Sequence, residues 1–230
     1  MKTSTIRRLH RWLGLVFSLG VLASASSGVL HVIIAHKQSP PPAARPGGGL
    51  DPSAIVIAAG DAIKALPVNF GNVSAVNLRM IGGEPWYQIY GSQSVPTYVS
   101  ARDGRVDPSK DDQYASEIAT AFLGSTNVRK TDYLTAFNSE YINIFRILPV
   151  HRFDSSDGLG TRVYVSTTTG SVTRHTNDQM QFEANVFTNL HKLAFIPNRL
   201  ARDIILTTLT AGSALASIAG IALFFMTRKK

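Results

Sequence analysis

The chain has 230 residues, 23 Lys and Arg against 15 Asp and Glu, and no cysteine. The missing cysteines exclude disulfides, thiolate zinc sites, iron–sulfur clusters, covalently attached c-type haem and cysteine nucleophiles. The formal charge of +8 admits nucleic acid or an anionic membrane as a partner until the charges are located along the chain.

The apolar residues gather at the two ends. Residues 13–35 contain no Asp, Glu, Lys or Arg and one histidine, and residues 204–226 contain no ionisable group. Each run exceeds the roughly 20 residues that cross about 30 Å of hydrocarbon as a helix. Ala23-Ser24-Ala25 resembles a signal-peptide cleavage site, but the apolar run continues past it to Ala35, as an uncleaved helix requires. Lys2, Arg7, Arg8 and Arg11 precede the first run, and Arg228, Lys229 and Lys230 follow the second. Short basic flanks stay in the cytoplasm, so the pattern predicts segments 1–12 and 227–230 inside and the middle of the chain outside. Trp12 stands where an interfacial aromatic anchor belongs. These seven basic flanking residues leave 16 basic against 15 acidic side chains for the remainder. The outer domain is therefore nearly neutral and offers no basic face for nucleic acid. The expected location is a bacterial inner membrane, with a periplasmic or otherwise extracytoplasmic central domain and the lipid bilayer as first partner.

A Pro- and Gly-rich linker, 36–50, follows the first span. Beyond it lies an internal repeat: Tyr98-Val-Ser-Ala-Arg-Asp-Gly-Arg-Val106 matches Tyr164-Val-Ser-Thr-Thr-Thr-Gly-Ser-Val172 at five of nine positions. The shared glycine is placed for a tight hairpin turn. A helical pattern precedes each copy, 53–66 in the first (Ile55, Ala59, Ala62, Ile63 and Leu66) and 116–123 in the second. Strand-like stretches lie between, at 73–80 and 86–90, then 133–137 and 141–148. The expected units are 51–110 and 111–177, each a helix on one face of an antiparallel meander. An amphipathic juxtamembrane segment, 178–203, with a helix over about 180–194, leads into the second span.

A helix, three strands and a closing Tyr-Val-x-x-x-x-Gly-x-Val hairpin resemble the PepSY domain. Arg8-Leu-His-Arg-Trp-Leu-Gly14 running into an apolar helix resembles the opening of PepSY-associated transmembrane proteins. Leu190-His191-Lys192-Leu193 and Ser217-Ile-Ala-Gly220 resemble the approach to their last helix. The resemblance covers the chain from Arg7 onward through short motifs. It implies an α+β fold with two transmembrane helices flanking two PepSY-like repeats. Part of that family is implicated in reducing ferric siderophores with b-type haems held by membrane histidines; other members are thought to inhibit or chaperone secreted proteases.

Three histidines are candidates for such haem. His31 lies in the outer third of the first span, where an ionisable side chain is costly. His10 stands at the inner boundary, 21 residues away and on the same side of the helix. His191, at the edge of an apolar helix face, shares a depth with His31, and the two are expected to be the axial ligands of an outer haem b. His10 would serve an inner site that needs a second histidine from a homodimer or from another membrane redox subunit. Each has a plainer role, as a snorkelling base, a helix contact or an interfacial residue. His36, His151 and His175 read as solvated, and Asp111, Asp112, Asp154 and Asp157 as turn residues. Gly20, Ser24 and Gly28, with Gly212, Ala216 and Gly220, form two small-residue ladders for close helix packing. No nucleotide, zinc-protease or serine-hydrolase motif is present, and the inner segments hold no flavin or nicotinamide domain. Two functions follow as expectations: a haem-bearing redox subunit acting on a ferric siderophore or similar acceptor, or a non-catalytic tethered module that binds a secreted protein or scaffolds a complex.

Overall fold

The computed structural model describes residues 3–37, 49–92, 95–145 and 147–227. Most of the linker and the basic residues Lys2, Arg228, Lys229 and Lys230 lie outside the described residues. The chain forms two compact units, a helical one from both chain ends and an α+β one from the middle, with a boundary at Asp178.

In the α+β unit, α2 (Ala59–Lys64) precedes a three-stranded antiparallel sheet, β1 (Ala75–Ile81), β2 (Glu84–Tyr90) and β3 (Thr97–Ser100). Then α3 (Lys110–Leu123) precedes a four-stranded one, β4 (Val128–Leu134), β5 (Val150–Ser155), β6 (Arg162–Ser166) and β7 (Ser171–Thr176). The two turns of the sequence repeat are the same turn. Gly104 and Gly170 have φ of 76° and 66°, and their N–H groups donate to Ser100 and Ser166 carbonyls at 3.0 and 2.9 Å. Val99 pairs with Val106 as Val165 pairs with Val172, so the first copy's fourth strand is reduced to a single bridge.

Period-two alternation gives the first sheet two apolar faces. Tyr87, Ile89, Val99 and Ala101 pack with Ala62 of α2, while Ile81, Trp86 and Tyr98 turn to the other side. There they share a core with Tyr114, Ala115, Ile118 and Ala119 of α3 and with Phe153, Val163 and Val165 of the second sheet. The order is thus α2, first sheet, α3, second sheet, with α3 between the two sheets. The far face of the second sheet, Val150 and Tyr164, is plugged by Tyr141.

The expected elements shift in four places. The strand expected at 133–137 lies earlier, at β4 (Val128–Leu134). The first helix is broken: Pro52–Ala54 is a 3-10 turn, and Val56 and Ile57 donate to the Ala101 carbonyl before α2 begins. Three consecutive β-branched residues, Ile55-Val56-Ile57, resist a helix and pair with the sheet instead. The strand expected at 141–148 is a loop containing a 3-10 turn, Asn143–Phe145, and the strand lies further on, at β5. Asn138 Oδ1 accepts the Glu140 and Tyr141 N–H groups, closing a local turn that competes with a ladder. Finally, α3 starts at Lys110, so Asp111 and Asp112 lie in its first turn.

The helical unit contains α1 (Thr3–Lys37), α4 (Asp178–Lys192) and α5 (Arg199–Thr227), of which α1 and α5 are long and apolar enough to cross a membrane. The two run antiparallel through a glycine seam. A Cβ at Gly20 would meet Leu209 at 3.3 Å, one at Gly220 would meet His10 at 2.9 Å, and one at Gly212 would overlap the Phe17 ring. Gly28 has open space around it. This register places the midpoints of the two apolar runs, Ser24 and Leu215, about ten residues or 15 Å out of level. Only the last turns of α1, about residues 31–37, therefore pass beyond the start of α5, and α4 lies along α1 from Ser24 to His31.

Because Trp86 and α3 belong to one core serving both sheets, Trp86→Ala is expected to cost about 3–5 kcal/mol. Denaturant unfolding followed by far-UV circular dichroism should show the two sheets still melting in one transition; separate transitions would contradict a shared core.

Candidate functional site

The α4 stripe Glu183, Phe187 and His191 repeats every fourth residue, and the α1 stripe Ser24, Ser27 and His31 recurs at three and four. Each stripe lies along one side of its helix, and the two face each other. Glu183 Oε1 is 2.7 Å from His31 Nδ1. Two turns on, His191 Nδ1 lies 3.1 Å from Ser24 Oγ and 3.4 Å from Ser27 Oγ, and its ring stacks on Phe187 at 4.7 Å. Ser27 donates its own proton to the Ser24 carbonyl, at 2.8 Å. Toward the other end of α1, His10 Nδ1 donates to the Ala216 carbonyl at 2.9 Å, in the space left by Gly220. A carbonyl only accepts, so Nδ1 carries the proton and the Nε2 lone pair of a neutral His10 ring remains available.

His10 and His191 each line an apolar groove on the helical unit. One, of about 640 Å³, includes Gly20, Ser24, His191, Leu209 and Ser213. The other, of about 540 Å³, includes His10, Gly14, Phe17, Ala216 and Ser217. Leu19, Val21, Ala25 and Ser213 belong to both, so the grooves adjoin. His31 lines neither. Among the described residues no hydrogen bond or ring contact joins His31 to His191; the structure ties each to a different part of the facing stripe. Glu183, the partner of His31, was not singled out from sequence, although its spacing of eight from His191 along one helix was readable.

Haem b is the cofactor that the resemblance implies. A haem histidine coordinates through one ring nitrogen while a protein acceptor orients the ring through the other. His10 and His191 both fit that pattern, in grooves lined by small and apolar side chains. Among the described residues each groove holds one histidine, so each could offer a haem one axial ligand. No group of three or more His, Cys, Asp or Glu residues placed for a bare metal ion occurs among the described residues.

The α+β unit has a second polar cluster, which corrects two sequence readings. His151 and Asp111, expected as a solvated side chain and a turn residue, are both buried. His151 Nε2 lies 2.8 Å from Asp111 Oδ2, and Tyr98 Oη donates to Asp111 Oδ1 at 2.7 Å. Gln88 Nε2 donates to Tyr98 Oη and to the Thr167 carbonyl, and Arg79 Nε donates to Gln88 Oε1 at 3.0 Å. His151 Nδ1 is 3.4 Å from Asp112 Oδ1, outside good hydrogen-bond geometry. His175 is half-buried rather than solvated, its ring tilted against Phe122 at 5.6 Å, and burial pushes its pKa down. His36 is exposed, as expected. The cluster crosses from the first sheet through α3 to the second and locks their mutual register.

No family model, no curated protein and no solved structure matches the chain.

Burial pushes the Asp111 carboxyl up, but hydrogen bonds from His151 and Tyr98 outweigh it and leave the carboxyl below its ordinary range. A depressed carboxyl pKa adds stability above the unfolded value of about 4 that disappears as pH falls through the folded value. Denaturant melts from pH 7 to pH 3 should therefore show a loss of stability below about pH 4. Asp111→Asn should be less stable at pH 7 by about 1–3 kcal/mol and show a flatter acid limb. An unchanged limb would assign the acid sensitivity elsewhere.

Proposed function

We propose that this chain is a two-pass inner-membrane protein whose helical unit carries haem b and passes electrons to an acceptor, a ferric chelate such as a siderophore, at the outer face. The observation that carries the reading is the pair of histidines, His10 and His191, each fixed through Nδ1 and each lining an apolar groove on the membrane-type helices. An ionisable side chain kept at hydrocarbon depth is costly, and such positions are commonly functional.

Bound haem would supply reversible one-electron carriage; the residues supply placement. The Ala216 carbonyl and the Ser24 and Ser27 hydroxyls orient the two imidazoles. Gly220 gives His10 room, and the apolar lining keeps water from both sites. Positions 10 and 24 of α1, the levels of the two rings, are about 21 Å apart along the helix, so the two sites divide the bilayer between them. His31, bound to Glu183, acts in this reading as an outer contact between α1 and α4. Electrons enter from a quinol or a membrane partner.

The rival reading is a tethered module that captures a secreted protein through a free strand edge. Edge strand β4 presents Arg129, Lys130 and Asp132, and charged side chains of this kind discourage strand addition.

The test is a reduced-minus-oxidised spectrum of the full chain purified in mild detergent from haem-replete cells. Wild type should show b-type Soret and α bands. His10→Ala and His191→Ala should each lose one of two haem populations, and His31→Ala should keep both. A colourless, folded wild-type protein would falsify the proposal and favour the binding module.

A further inference from the structure

The two histidine grooves are half-sites, and they adjoin. Leu19, Val21, Ala25 and Ser213 line both, so the two grooves share a wall, with His191 lining one and His10 the other. His191 is exposed and His10 is half-buried. The second ring nitrogen of each has no hydrogen-bond partner among the described residues, a costly arrangement within hydrocarbon unless another group covers it. Among the described residues no other histidine lines either groove: His31, held through Nδ1 by Glu183, lines neither.

We infer that the missing half of each site is a second copy of this chain, closed over the two adjoining grooves by a two-fold axis along the membrane normal. The inference rests on the haem reading above. Symmetry selects the pairing. Copies inserted with the same topology place identical residues at identical depth, and a two-fold makes such contacts reciprocal and closed. His191 then meets His191 of the second copy at the outer level, and His10 meets its own counterpart at the inner level. Pairing His10 of one copy with His191 of the other would require bridging about 21 Å of depth. The dimer thus holds two bis-histidine haems, one per chain, from chains that each offer only single ligands. Ser213 and Ala25, small side chains at the junction of the grooves, let the two copies approach between the haems.

The experiment is made on full-length protein in detergent, with mass from light scattering and haem counted per chain. Two chains, two haems and low-spin optical and electron-paramagnetic signals are expected. Wild-type and His191→Ala chains carrying different tags are then co-expressed and purified through both tags. The mixed dimer keeps one wild-type copy to support folding. It should retain a low-spin inner haem while its outer haem turns high-spin or is lost, and the same pattern should invert with His10→Ala. A haem-loaded monomer, two low-spin haems in either mixed dimer, or low-spin haem only when a different subunit co-purifies overturns the inference while leaving the functional reading standing. A wild-type protein without haem overturns that reading, and this inference with it.

Discussion

The seam between α1 and α5 sets the register of the two long helices of the helical unit. Three glycines decide its register: Gly20 receives Leu209, Gly212 receives Phe17 and Gly220 receives His10. Within hydrocarbon there is no hydrophobic drive to hold two helices together, so close backbone approach and the packing it permits must do so. That register leaves the two apolar runs out of level. Only about residues 31–37 of α1 extend past the start of α5, and α4 lies along α1 from Ser24 to His31 with a stripe of matching spacing.

A comparable constraint governs the α+β unit. One helix, α3, serves as core for two sheets, so its buried face must satisfy both. Apolar residues do most of this, but Asp111 lies where the sheets meet and cannot be buried without partners. Tyr98 from one sheet and His151 from the other supply them, with Gln88 and Arg79 behind. A polar group that needs donors from both sheets ties them to one mutual arrangement. The unit is therefore a single folded body although its chain reads as a duplication.

Much of this was legible in the residues. The two apolar helices, the internal repeat and its glycine turns are local patterns: a run of one polarity, or a residue that alone tolerates positive φ. The small-residue ladders also pointed to a close helix pair. Element edges fared worse where local competition decided them, as at Ile55-Val56-Ile57 and at the Asn138 turn. His151 and Asp111 were misread because burial is a property of neighbours distant in sequence. On β5, His151 shares a face with Phe153, a period-two hint too short to outweigh the ordinary exposure of such residues.

The sequence by itself determined what kinds of elements this protein builds, which ends are apolar and where the charge lies, because these depend on composition and on periodicities of a few residues. It also restricted the candidate ligands to a handful of histidines. Only the tertiary structure decided which histidine meets which partner. His31 and His191 share a depth if α4 merely approaches the first helix, yet the antiparallel stripe sends one to Glu183 and the other to Ser24 and Ser27. The axial offset of α1, α4 and α5 is set by packing of side chains far apart along the chain, and no periodicity within one helix encodes the register it adopts against another.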